Sequence, residues 1–169
     1  MSGAVAQPVV YRQQLSFHEV ARLLPFGVQW LLIDRVLSWN DDEIVVQKAV
    51  SGGEQNMSAH LRDGPSIMPG ILTVELVNQC AMLLMILRGA KGLGEHIAGS
   101  AGVLARCKGT FHSPAYIGDI VTAHVKIAAV LGGKTQYDGE VTVGERRVAT
   151  ISAIGALVTT DQPSRPIAA

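Results

Sequence analysis

Apolar positions recur along the chain with two different periods, and the change of period divides it. SFHEVARLL (16–24) spaces its apolar residues as a helix does, with Ser16 as cap and Glu19 three residues on in the capping-box pattern. Pro25 and Gly27 end it. WLLIDRVLSW (30–39) and EIVVQKAV (43–50) predict two strands, and Asn40-Asp41-Asp42 between them makes the turn of a hairpin. SGGEQNMSAHLRDGPSIMPG (51–70) carries three glycines before Gly70 and two prolines, which predicts a long irregular loop. Loops of that length in small domains are often functional. From about Gly70 to Arg88 the chain is apolar on nearly every side, which predicts a buried helix. Pro69 suits its start, because the missing N–H would have been orphaned there anyway, and Gly89 stops it.

The second half alternates. SAGVLARCKGTF (100–111) predicts a strand. In DIVTAHVKIAAVL, Val121, Ala123, Val125, Ile127 and Ala129 share one face, while Thr122, His124 and Lys126 share the other. Gly132-Gly133 predicts a hairpin turn. KTQYDGEVTV continues with Tyr137, Val141 and Val143 in phase, Gly144-Glu145 turns again, and RRVATISAIGALVTT (146–160) makes a last long strand. Residues 1–14 read as a flexible lead-in, 15–160 as a single domain and 161–169 as a flexible tail. Strands do not alternate with crossover helices, so a doubly wound sheet is excluded. The class is α+β: a long central helix that needs apolar surface all round, wrapped by a curved antiparallel sheet.

Composition narrows the function. With 48% hydrophobic and 17% charged residues the chain is not disordered. Fourteen basic and fourteen acidic residues, with no basic patch beyond pairs such as Arg146-Arg147, argue against a nucleic-acid partner. The longest uninterrupted apolar run, CAMLLMIL (80–87), is far short of the ~20 residues of a membrane span, and the start lacks the features of a signal peptide. Cys80 and Cys107 form no CxxC, which suits a reduced, cytoplasmic setting. His18, His96, His112 and His124 have no ligand spacing, so no metal is expected. Neither GxGxxG after a strand nor GxxxxGK[ST] occurs, which leaves nucleotide cofactors without support.

HLRDGPSIMPGILTVELVNQC (60–80) concentrates the candidate chemistry. His60 sits in the loop, and an imidazole of ordinary pKa is a good general base. Glu75 lies inside the apolar helix, where a carboxyl must be paired or protonated. Gln79, four residues on, shares its face and can hold the carboxyl or a substrate hydroxyl. Asn78 reads as structural. Gly70 offers an unpaired N–H at the positive end of the helix dipole.

Three blocks resemble the beta-hydroxyacyl-acyl carrier protein dehydratases. LLPFGVQWLLIDRV (23–36) is similar to that family's "LPHRYPFLLVDRV", HLRDGPSIMPGILTVELVNQ to "GHFPGxPxMPGVLxxEAxAQ", and TFHSPAYIGDIV (110–121) to "xFxxPVxPGDxL". The resemblance spans roughly residues 15 to 160 and implies the hotdog fold. It also implies a reaction, dehydration of a 3-hydroxyacyl thioester to the trans-2-enoyl thioester in fatty acid or polyketide biosynthesis. His60 and Glu75 take the catalytic positions, Gly70 and Gln79 the oxyanion and positioning ones. Met82, Leu83 and Ile86 are candidates for the acyl tunnel. The substrate rides on the phosphopantetheine arm of acyl carrier protein, or on coenzyme A, and no metal or redox cofactor is needed. The paired His and Glu come from different subunits, so a homodimer, or a trimer of dimers, is implied. The chain departs from the pattern in the loop: His60 to Glu75 is one residue longer, Ala59 replaces glycine, Phe26-Gly27 stand for His-Arg, and Ile117 replaces a proline. Rival readings are a hotdog acyl thioesterase and a non-catalytic acyl-binding or scaffold subunit.

Overall fold

Residues 14–58, 60–61, 63–89 and 100–159 are described in the computed structural model. The expected lead-in and tail lie outside them, Gln14 excepted. In chain order the elements are α1 (Phe17–Leu23), a 3₁₀ turn (Val28–Trp30), β1 (Arg35–Trp39), β2 (Glu43–Ala49), α2 (Gln55–Ser58), α3 (Gly70–Arg88), β3 (Ser100–Phe111), β4 (Ile120–Leu131), β5 (Lys134–Val143) and β6 (Arg146–Thr159). The six strands form one antiparallel sheet in the order β1-β2-β4-β5-β6-β3, not closed on itself, with the long helix α3 packed across it. This is the hotdog architecture.

α3 is buried because its residues leave no polar face. Leu72, Val74, Leu76, Val77, Cys80, Ala81, Leu83 and Leu84 are all buried, and the helix contacts β2 through β6. By length and composition it resembles a membrane span, yet more than half of it is buried inside the domain, as a core helix is. Gly89 closes it by donating to the Met85 and Ile86 carbonyls. The hairpin turn at Gly132 and Gly133 has φ of 56° and 74°, the pair of left-handed residues that a type I′ turn requires.

Two expectations are corrected. The first strand does not begin at Trp30. Val28–Trp30 form a 3₁₀ turn, and Leu31, Leu32 and Ile33 run buried into the core before β1 starts at Arg35. Their apolar run reads as a strand, but part of the backbone there is satisfied by a side chain of α3 rather than by a neighbouring strand. In β4, Val121, Ala123 and Val125 are buried as expected, but a register shift between Ile127 and Ala129 breaks the alternation and leaves Ala129 exposed.

The loop between β2 and α3 is tied at both ends. Lys48 is buried, and its ammonium meets Asp34 at 3.4 Å and the carboxylate of Glu54, just before α2. A buried cation held by two carboxylates is a strong anchor, since removing one partner strands the charge. Farther along, Met68 N–H donates to Ala115 O at 2.8 Å and Ile117 N–H to Ser66 O at 2.9 Å. The SPAYIGD segment thus backs the histidine loop. Asp119 fixes that segment by accepting from Tyr116 N–H at 2.8 Å and Arg146 Nη2 at 2.9 Å.

Helix and sheet approach closely at Gly139 of β5, where a Cβ would stand 2.6 Å from Val77 Cγ1. Gly139→Ala is expected to cost about 1–3 kcal/mol by overpacking and to lower the melting midpoint by roughly 3–10 °C. A thermal melt indistinguishable from that of the unmodified protein would contradict this close contact.

Candidate active site

Glu75 projects from α3, half-buried, and its Oε1 accepts two hydrogen bonds, from Trp30 Nε1 at 3.0 Å and from Gln79 Nε2 at 3.0 Å. Gln79, only 1% exposed, does more than hold the carboxyl. Its Nε2 also donates to Trp30 O at 2.9 Å, and its Oε1 accepts from Leu32 N–H at 2.9 Å. One buried amide therefore supplies the backbone bonds that a neighbouring strand would otherwise give to the segment entering β1. Its spacing from Glu75 brings the two side chains together, as i,i+4 neighbours on a helix do. With three bonds engaged it acts as a clamp on Glu75.

Glu75 opens onto an apolar cavity of about 300 Å³. One wall is a stripe of α3: Glu75, Asn78, Gln79, Met82, Met85 and Ile86. Gly102, Val103 and Leu104 of β3 face it, with Tyr137 of β5 and Gly155 of β6. Gly102 lies so close to the helix that a Cβ there would stand 2.4 Å from Met82 Cε. The expected tunnel residues divide. Met82 and Ile86 line the cavity. Leu83 does not; it is fully buried in the core. At about 100° per residue, Met82 and Ile86 fall within about 20° of Glu75 around the helix, whereas Leu83 lies about 80° away.

His60 is exposed and is not among the residues that line this cavity. Its Nδ1 lies 3.2 Å from Ile67 O. A carbonyl can only accept, so Nδ1 carries the proton and the lone pair of the neutral ring sits on Nε2. The ring nitrogen left free to accept a proton is thereby Nε2, the one not turned to Ile67 O. Gly70 is the first residue of α3, and its N–H is among the first amides of the helix, which have no intrahelical acceptor. The ring of Phe111, at the end of β3, packs over it, 3.1 Å from where a Cβ would be. Glycine is what lets the strand approach the helix start.

Sequence reasoning missed Trp30, Met85 and Tyr137. Trp30 falls within the first resembled block, and an indole N–H among apolar residues needs an acceptor, but that acceptor is 45 residues away. Cys80 and Cys107 are free thiols, and burial pushes the Cys80 thiol well above its ordinary pKa, so it is packing and no nucleophile. Among the described residues, no group of three or more His, Cys, Asp or Glu is placed to hold a metal.

A family model described as a FabA-like domain matches residues 24–152. A 3-hydroxyacyl-[acyl-carrier-protein] dehydratase FabZ of Chlamydia trachomatis is 32% identical over 124 residues, 71% of this chain and 78% of that protein. The enzyme of the same name from Roseiflexus is 31% identical over 136 residues, 79% of this chain and 90% of that protein. Among solved structures, the dehydratase heterocomplex ApeI:P from Xenorhabdus doucetiae matches with a TM-score of 0.69 at 19% identity, over 83% of this chain and 91% of that chain. A hypothetical thioesterase protein with coenzyme A from Streptococcus pneumoniae matches at 0.55 and 16% identity, over 75% and 87%. Likeness at these identities extends to the fold alone.

Replacing the clamp tests the geometry without reference to activity. Gln79→Leu keeps the volume but strands Leu32 N–H, Trp30 O and one bond to Glu75. Each unsatisfied buried group costs about 1–3 kcal/mol, so the melting midpoint is expected to fall by roughly 5–15 °C, with Trp30 fluorescence shifting toward that of a more hydrated indole. An unchanged melt and emission spectrum would show that the amide is not the partner of this segment.

Proposed function

The chain belongs to the FabA-like family and dehydrates 3-hydroxyacyl thioesters carried on acyl carrier protein, and on that premise we propose how its residues divide the work. His60 Nε2 takes the proton from C2. The electrons of that C–H bond become the C2=C3 double bond, and the C3–O bond breaks. Glu75 of the other protomer gives its proton to the departing hydroxyl, which leaves as water. Gly70 N–H, at the positive end of α3, stabilises the charge that builds on the C1 oxygen. Gln79 and Trp30 keep the Glu75 carboxyl aimed at C3. No metal or redox cofactor enters, because the thioester carbonyl itself acidifies C2.

The observation that carries this reading is Glu75, clamped by Gln79 and Trp30 at the mouth of an apolar cavity suited to an acyl chain. His60 stands outside that cavity, which supports a site completed by a second copy. β3 supports the same conclusion. It is an edge of the sheet, and Gly102 through Phe111 are exposed along its length, including Val103, Leu104 and Phe111. A long edge strand with exposed apolar residues and no partner among the described residues invites association. We assign β3–β3 pairing across a two-fold axis as the dimer contact, with the dimer as the catalytic unit. Two free thiols fit a reducing, cytoplasmic setting for this enzyme.

Incubation with a 3-hydroxyacyl-acyl carrier protein should yield the enoyl thioester. Free carrier thiol instead would mean a thioesterase, and no reaction would mean an acyl-binding subunit. Glu75→Gln is nearly isosteric and is expected to lower turnover by roughly 10²- to 10⁴-fold with the fold intact, the usual scale for a positioned acid. His60→Ala should abolish dehydration, while Asp63→Asn, in the same loop, should cost little. Near-normal enoyl formation by either Glu75→Gln or His60→Ala would remove that residue from the mechanism.

A further inference from the structure

The cavity wall carries a polar pair that the dehydration chemistry does not use. Tyr137 OH donates to Asn78 Oδ1 at 2.8 Å, and both side chains line the apolar cavity. Asn78 follows Glu75 by three residues, so it lies on the same side of α3, about 4.5 Å farther along the axis. Burial raises the Tyr137 phenol well above its ordinary pKa, with the charges of Cys107 and Glu75 adding to the effect, so the hydroxyl keeps its proton and donates. That bond fixes the amide. The Asn78 oxygen is engaged, and its Nδ2 presents two N–H donors. Among the described residues nothing accepts from them.

The arrangement is built rather than incidental. Tyr137 stands opposite Ala153 of β6 and packs beside Gly155, where a Cβ would stand 3.4 Å from Tyr137 Cε1. In the pattern "EAxAQ" that this helix resembles, alanine stands where Glu75-Leu76-Val77-Asn78-Gln79 has Asn78. An apolar chain filling the cavity would leave the amide donors dry and unpaired, a cost that worsens binding by about tenfold or more. Neighbouring Gln79 cannot serve in its place, since its bonds are already taken by Trp30, Leu32 and Glu75.

We propose that Asn78, oriented by Tyr137, is a specificity residue that selects 3-hydroxyacyl chains bearing a hydrogen-bond-accepting oxygen, such as a keto or ether oxygen, a few carbons beyond C3. This rests on the dehydratase reading only in placing C3 at Glu75. A chain that enters at Glu75 and runs along α3 toward Met82 and Ile86 passes Asn78 first. Sites built to hydrogen-bond a substrate discriminate strongly against analogues that lack the partner.

The test uses two unreactive acyl-pantetheine amides of equal length. One is a plain alkyl chain, and the other has an ether oxygen in place of a methylene three or four carbons beyond C3. Titration calorimetry on the intact protein is expected to give about tenfold or more tighter binding of the ether ligand. Asn78→Ala should erase that preference, and Tyr137→Phe, which frees the amide to rotate, should weaken it. Equal affinity of the unmodified protein for the two ligands would overturn the inference, whether or not either variant folds. A purely structural tie between α3 and β5 would instead lower the melting midpoint in both variants and leave the ligand ratio unchanged, which also overturns it. Dehydration of the matching ether-bearing 3-hydroxyacyl thioester is followed in parallel. Enoyl product without ligand preference sinks the specificity assignment alone. Ligand preference without enoyl product sinks the dehydratase reading and leaves Asn78 as a binding determinant.

Discussion

A buried amide in the middle of an apolar helix organises this molecule. Gln79 bonds to Leu32 N–H, to Trp30 O and to Glu75 Oε1 from one fully enclosed side chain. Buried polar groups must be paired, and here the pairing has a structural consequence. The segment from Trp30 to Ile33 runs into the core without a strand partner at those two groups because the helix provides one. That placement brings the indole of Trp30 to Glu75, so the same amide that completes the fold also aims the carboxyl. The geometry at Glu75 and the path of the chain into β1 are therefore one constraint, and neither can relax alone.

The second constraint is the exposed edge of the sheet among the described residues. The sheet ends at β3, whose residues are exposed from Gly102 to Phe111, and part of this strand walls the cavity beside Glu75. His60 lies on a loop held from behind by Ser66, Met68 and the Ala115–Asp119 segment, with its Nδ1 turned to Ile67 O. His60 is exposed there and does not line the cavity beside Glu75. In the proposed dimer, a second copy paired along β3 would cover the strand edge and bring a base to face an acid.

Much of the fold is legible in the sequence. The bounds of α3 follow from Pro69, Gly89 and an apolar run with no polar stripe, and the turns follow from Gly132-Gly133 and Gly144. His60, Gly70, Glu75 and Gln79 stand out because they punctuate a loop and helix that would otherwise have no reason to carry them. What stayed hidden depends on contacts distant in sequence. Leu31-Leu32-Ile33 reads as strand because burial, not pairing, sets its pattern. Asn78 reads as structural until the register of β5 brings Tyr137 over it, and the bulge after Ile127 has no local signal. Leu83 reads as a tunnel residue because it adjoins Met82 in the chain, but it lies about 80° from Glu75 around the helix and is buried in the core.

The proposed composite site is tested most directly by mixing two variants that are each expected to be inactive. His60→Ala and Glu75→Gln homodimers, unfolded and refolded together at equal amounts, form half heterodimers by chance. Each heterodimer has one site with both residues intact and one with neither. Specific activity in the mixture should therefore return to about one quarter of that of the unmodified enzyme, as two-fold symmetry requires. If His60 and Glu75 instead act within one chain, every site in the mixture lacks one of them, and activity stays at the level of the separate variants.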